Sequence, residues 1–237
     1  RPQLLLDPAH RAHKAAVASA LFGQAEEVVR VGHFRVLDRL GEGGMGVVYK
    51  ATQIQLRRKV ALKLILPEHA ARKGARARFE REARGMAKLG HPNVVTVFEV
   101  GEVDGHPFIA MELVDGQTLR AWQTATSRPW REVVGIYIEA GRGLAAAHDA
   151  GLVHRDFKPD NVLIGADLRP RVSDFGLVSE HADGAEPATP GHWVGTPPYM
   201  SREQWRGERG GPPADQFAFC VSLWEALFGE RPFAGET

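Results

Sequence analysis

A chain of 237 residues, 43% apolar and 25% charged with a net charge of +1, has room for one large domain or two small ones around a hydrophobic core. Its near-zero charge gives no electrostatic reason to expect a nucleic acid or an anionic membrane as partner, and no apolar run reaches the roughly 18 residues of a spanning helix. A single cysteine excludes an internal disulfide; Cys220 lies in the apolar run 217–223 and is expected to be buried.

Residues 1–30 are rich in Ala and basic side chains, and a helix is expected over about 9–21. From Phe34 the pattern becomes that of strands: Phe34, Val36, Leu37 and Leu40 lead into glycines, Val47, Val48 and Tyr49 lead out, and 60–66 reads VALKLIL. A helix is expected over about 75–89, with Phe79, Ala83, Met86 and Leu89 on one face. Two more strands follow at 94–100 and 108–114, then a helix over 131–150 with Val134, Ile138, Gly141, Leu144 and Ala145 at helical spacing and Gly151 as its stop. Residues 177–198 lack periodicity and read as a long loop, either functional or disordered. A last helix over 215–228 is apolar on nearly every side and is expected at the centre of its lobe. Strands first and helices later give an α+β protein in two lobes without internal repeats.

Several polar residues break this pattern. The first turn is Gly41-Glu42-Gly43-Gly44-Met45-Gly46, which by itself reads equally well as a tight hairpin needing positive φ. Strand residues follow it, which excludes a dinucleotide-binding fold, and no Gly-Lys-Ser/Thr follows, which excludes a P-loop. What remains is a glycine-rich hairpin whose backbone N–H groups could lie over phosphates. Lys63 stands inside VALKLIL, on the face of Ala61 and Ile65, and Glu82 falls on the apolar stripe of its helix. The two either neutralise each other for a task such as orienting a phosphate, or are a snorkelling lysine and a half-exposed acid. Residues 154–161, HRDFKPDN, crowd six polar groups beside the core, where a solvated turn is the plain alternative. Asp174-Phe175-Gly176 ends the strand-like run 169–173; its acid is either a turn residue or a metal ligand. None of the ten histidines pairs with cysteines or carboxylates at zinc-like spacing.

Together, GEGGMGVV, VALK with Glu82, HRDFKPDN, DFG and GTPPYMSRE at 195–203 resemble the eukaryotic-like protein kinases in the serine/threonine form common in bacteria. The resemblance covers about residues 34–233. It implies a bilobal protein-kinase-like α+β fold: an extension at 1–33, a small antiparallel β-sheet lobe with one helix at 34–113, and a mainly helical, incomplete lobe at 114–237. It also implies roles. The glycine-rich turn, Gly41 to Gly46 with Glu42 and Met45, covers the ATP phosphates. Lys63 contacts the α- and β-phosphates and is held by Glu82. Leu40, Val48, Ala61 and Leu163 enclose adenine, with Glu112 and Val114 after Met111 pairing with its edge. Asp156 accepts the proton of the substrate hydroxyl, and Lys158 neutralises the transferring phosphoryl group. Asn161 and Asp174 hold Mg²⁺, for which Mn²⁺ could substitute. Thr189, with Ser179 as fallback, is the candidate activating phosphosite facing Arg155, whereas Thr196 bonds the catalytic acid and lysine.

The expected partners are ATP and protein substrates in the cytoplasm, with no nucleic acid and no membrane segment in this chain. Oligomeric state and the stimulus sensed are not legible. Two features depart from the family's pattern. Its Ala-Pro-Glu is here Ser201-Arg202-Glu203, and the chain begins at Arg1 and stops at Thr237, so it reads as truncated at both ends. Apolar surface on Trp224, Leu227 and Phe228 is then expected to be exposed. Truncation favours a pseudokinase or nucleotide-binding scaffold as the alternative; the intact Lys63, Glu82, Asp156, Asn161 and Asp174 oppose it. A small-molecule phosphotransferase is disfavoured by the 195–203 segment.

Overall fold

The computed structural model describes residues 29–43, 46–65, 83–175, 196–208 and 210–233. The chain divides into two compact units, residues 1–76 with 97–113 and residues 77–96 with 114–237. The expected helix at 9–21, Phe79 and the loop to 195 lie outside the described residues.

The first unit is one antiparallel sheet in the order β1-β2-β3-β4-β6-β5. Its strands are β1 (Arg30–Val31), β2 (Phe34–Gly43), β3 (Gly46–Gln53), β4 (Arg58–Ile65), β5 (Val97–Val103) and β6 (His106–Glu112). β1 is too short to show in a hydrophobic pattern. The expected strand at 94–100 begins only at Val97, because Val94 belongs to the second unit and bridges to Val172 within it. Alternation along the strands sends Phe34, Val36, Tyr49, Ala51, Val60, Leu62, Phe108 and Ala110 into one core. Phe34 is fully buried and meets the Phe108 ring edge-on at 5.5 Å, the arrangement ring quadrupoles prefer. At the rim, Glu99 accepts from His33 at 3.0 Å and from Gln53 at 3.2 Å, and Arg58 donates to Gln53 while lying over the Phe98 ring.

Among its described residues the second unit has the α-helices α1 (Leu119–Ala125), α2 (Trp130–Asp149), α3 (Arg202–Trp205) and α4 (Pro212–Phe228), and a small sheet of β7 (Gly116–Thr118), β8 (Val162–Gly165) and β9 (Pro170–Val172). Residues 83–88 are also helical, and Ala83 and Met86 are buried as their spacing predicts. α2 ends as expected, with Gly151 in the left-handed region and the Leu152 N–H returning to the Ala147 carbonyl. Its buried stripe, however, is Val133, Tyr137, Ala140, Leu144 and Ala147; of the expected positions only Leu144 is buried, and Ile138 is half exposed. Two apolar stripes run side by side on this helix, and Tyr137 decides between them because its hydroxyl finds a buried acceptor, the Ser222 carbonyl, at 2.8 Å. Burial pushes the Tyr137 phenol well above its ordinary range, so it stays a donor.

Gly143 lets α2 touch backbone directly: a Cβ there would stand 2.3 Å from the Asn93 carbonyl oxygen. That oxygen accepts from Val172, whose own carbonyl accepts from Val95, while the Asn93 side chain donates to the Pro170 carbonyl.

α4 is not enclosed as its composition suggests. Ala214, Asp215, Ala218, Val221 and Ser222 are buried, but Cys220, Trp224 and Phe228 form an exposed stripe, with Leu227 partly covered. The expected burial of Cys220 is therefore wrong: one turn apart on a helix, Cys220 and Trp224 share a face, and that face is open.

Phe34→Ala should destabilise the first unit by about 3–5 kcal/mol, since it empties a fully buried site; denaturant titration of the chain checks this.

Candidate active site

Cross-strand register in the first unit sets the expected nucleotide residues side by side. Val48 pairs with Lys63, Lys63 with Ile109, and Ala61 with Met111. Directly opposed residues share a face, so Val48, Ala61, Lys63 and Met111 line one side of the sheet, opposite the core. Lys63 is only 9% exposed there. Leu40 is half exposed on β2, and Glu112 closes β6, with Glu112 and Val114 partly covered. Gly41, Glu42 and Gly43 pair with Val48, Val47 and Gly46, which makes the glycine run a hairpin whose tip, Gly44 and Met45, lies outside the described residues. Glycine is needed at 46 because a Cβ would meet the Leu64 carbonyl oxygen at 2.1 Å. Arg39 and Glu42 form an ion pair along the hairpin.

The second unit gathers the polar residues of 154–161. His154 is fully buried. Its Nδ1 accepts from the Asp156 N–H at 3.3 Å and its Nε2 lies 2.8 Å from the Ser173 carbonyl oxygen, so the neutral Nε2–H tautomer satisfies both contacts. Phe157 and Phe175 pack against this ring and exclude water from it. Arg155 adopts a left-handed φ of 65°, which a side chain disfavours. Asp215, itself 1% exposed, holds that turn by accepting from the His154 N–H at 2.7 Å, the Arg155 N–H at 2.6 Å and His148 at 2.7 Å.

The Asp156 carboxylate projects from this turn. Its Oδ1 accepts from the Thr196 hydroxyl at 2.8 Å and its Oδ2 from Lys158 Nζ at 2.8 Å; Lys158 also donates to Thr196 Oγ1 at 2.6 Å. Asn161 spends its amide nitrogen on the Asp156 carbonyl, at 2.8 Å, and on Oδ2. The Asn161 amide oxygen takes no part in these two bonds, and Asp174, at φ 53°, carries a carboxylate two residues beyond β9. An amide oxygen and a carboxylate are the hard donors that Mg²⁺ takes together with phosphate oxygens. Leu163 follows on β8. Glu82, Gly176, Ser179 and Thr189 lie outside the described residues.

Six further residues of this neighbourhood have no role in the sequence reading. Asp160, within HRDFKPDN, accepts from Arg120 Nε at 2.8 Å. Arg120 also bonds the Tyr199 hydroxyl, which donates to Glu225, and Arg231 donates to Glu225 at 3.3 Å. Burial opposes the charge on Arg120, but its hydrogen bonds to Asp160 and Tyr199 outweigh burial and hold its pKa above the ordinary value. Gln204 is the last: its Oε1 accepts from the Ser201 N–H at 3.1 Å, and its Nε2 donates to the Arg155 carbonyl at 2.7 Å. The pattern Ser201-x-x-Gln204 is a capping-box signature that could have exposed it.

The protein kinase domain matches residues 34–237. The chain belongs to the protein kinase family. This kinase domain is 38% identical over 215 residues to the serine/threonine-protein kinase pkn2 of Myxococcus xanthus, covering 89% of this chain and 26% of that protein. It is 38% identical over 205 residues to the serine/threonine-protein kinase PknL of Mycobacterium tuberculosis, covering 86% of this chain and 51% of the relative. The chain thus spans about half the length, or less, of these relatives. Among solved structures, the PknI kinase domain of Mycobacterium tuberculosis superposes with a TM-score of 0.72 at 29% identity, over 90% of this chain and 81% of that one. The kinase fold and its α+β class agree with the sequence expectation, whereas the helical residues 83–88, expected within the small lobe, group with the second unit.

Thr196→Val keeps the shape of the side chain but removes both contacts of its hydroxyl. The phosphotransfer rate should fall by about tenfold to a hundredfold with little change in melting temperature, as steady-state kinetics and a thermal scan would show.

Proposed function

We propose that this chain transfers the γ-phosphoryl group of ATP to serine and threonine hydroxyls of proteins, itself included, in signal transduction in the cytoplasm. The observation that carries the reading is the triad of Asp156, Lys158 and Thr196, in which one hydroxyl joins an acid and an amine that both remain partly open to solvent.

In this reading residues 34–113 form the nucleotide-holding lobe and 114–237 the catalytic one, with 1–33 an extension. Leu40, Val48, Ala61, Met111, Glu112, Val114 and Leu163 receive adenine. Gly41 to Gly46 and Lys63, held by Glu82, receive the phosphates. The substrate hydroxyl oxygen forms a bond to the γ-phosphorus as the bond to the β–γ bridging oxygen breaks; ADP leaves, and the hydroxyl proton passes to Asp156. Lys158 offsets the charge on the transferring group. Asn161 and Asp174 would hold Mg²⁺, or Mn²⁺ in its place, which neutralises phosphate charge when bound. Little covalent work falls to the protein, so positioning dominates. Thr189, or Ser179 in its place, is the proposed activating phosphosite, with Arg155 as its counter-charge.

Incubation with ATP and Mg²⁺ followed by phosphosite mapping tests this. The chain should acquire phosphate at Thr189 or nearby, while Asp156→Asn should lower the rate by about a thousandfold or more and still show an ATP-dependent rise in melting temperature. A wild-type chain that binds ATP yet transfers nothing would make it a pseudokinase.

A further inference from the structure

Resting on the kinase reading, we infer that Gln204 is a positioning residue for phosphotransfer: its amide locks the peptide that carries Asp156 to the segment that presents Thr196. The peptide between Arg155 and Asp156 is gripped at both ends. Its carbonyl, on Arg155, accepts from Gln204 Nε2 at 2.7 Å, and its N–H, on Asp156, donates to His154 Nδ1 at 3.3 Å. Rotating that peptide plane would swing the Asp156 side chain, and the left-handed backbone at Arg155 gives the plane a reason to rotate. Asp215 holds the N–H groups ahead of this plane and leaves the Arg155 carbonyl to Gln204.

The other end of the same amide fixes a second part of the site. Gln204 Oε1 accepts from the Ser201 N–H at 3.1 Å and the Ser201 hydroxyl at 3.3 Å. Ser201 closes the short run that starts at Thr196 and turns through Pro197–Tyr199. The orientation of the amide is unambiguous, because a backbone N–H demands an acceptor and a carbonyl demands a donor. Gln204 is 8% exposed, so water does not readily replace either bond. Only a side chain of this length with a donor and an acceptor can serve both partners. Glutamate keeps the acceptor alone, and methionine keeps neither.

Two variants test the assignment by kcat and KM for ATP between about pH 6 and pH 8.5, with hydrogen exchange at the 154–156 amides measured alongside. Gln204→Met should lower kcat about tenfold or more with KM for ATP almost unchanged, and should speed exchange at 154–156. Gln204→Glu should be impaired at high pH and recover relative to wild type as pH falls, because the protonated carboxyl again donates to the Arg155 carbonyl. A wild-type kcat in Gln204→Met, or a Gln204→Glu to wild-type ratio that is flat with pH, would overturn it. If Gln204→Met does not fold, the pH ratio of Gln204→Glu decides. If the wild-type chain transfers no phosphate, the kinase reading fails, and exchange at 154–156 in the two variants still shows whether the amide locks the peptide.

Discussion

The second unit of this molecule depends on one buried carboxylate. Asp215 sits in the first turn of α4, where the helix dipole favours negative charge, and it accepts hydrogen bonds from two successive backbone amides and one imidazole. A charge so deeply buried is tolerable only because its donors surround it. In return it imposes a backbone conformation at Arg155 that the local sequence does not favour. His154, Asp156, Lys158 and Asn161 all take their places from that turn.

The first unit meets a different constraint. Its sheet buries one face in a continuous apolar core and keeps the other for Lys63 and small or medium apolar neighbours. A strand with two such unlike faces needs its register fixed, since a one-residue slip would exchange them. The unbroken pairing of β3 with β4 from Gly46 to Gln53 supplies that fixity, and the close approach at Gly46 ties it to the glycine hairpin.

Much of this was legible in the sequence because its signals are local. The glycine hairpin, the lysine inside VALKLIL and the charges of HRDFKPDN each break a hydrophobic period within a few residues, and the structure gathers Lys158, Asn161 and Thr196 around Asp156. What was missed is non-local or geometric. The face of α2 was misread because two apolar stripes run side by side on it, and only the acceptor for Tyr137 separates them. Cys220 was misplaced because an apolar composition does not say which face of a helix is covered. Arg120, Glu225 and Arg231 look like ordinary surface charges until folding brings them around Tyr199.

The seat of α2 on residue 93 has a mechanical consequence. Where most helices rest on a layer of side chains that can change rotamer, Gly143 brings helix backbone onto loop backbone. Such a joint has no soft layer to absorb a shift. The same carbonyl is hydrogen-bonded to β9, two residues before Asp174. Strain applied to the 91–95 loop therefore passes with little damping into the strand that ends two residues before that acid.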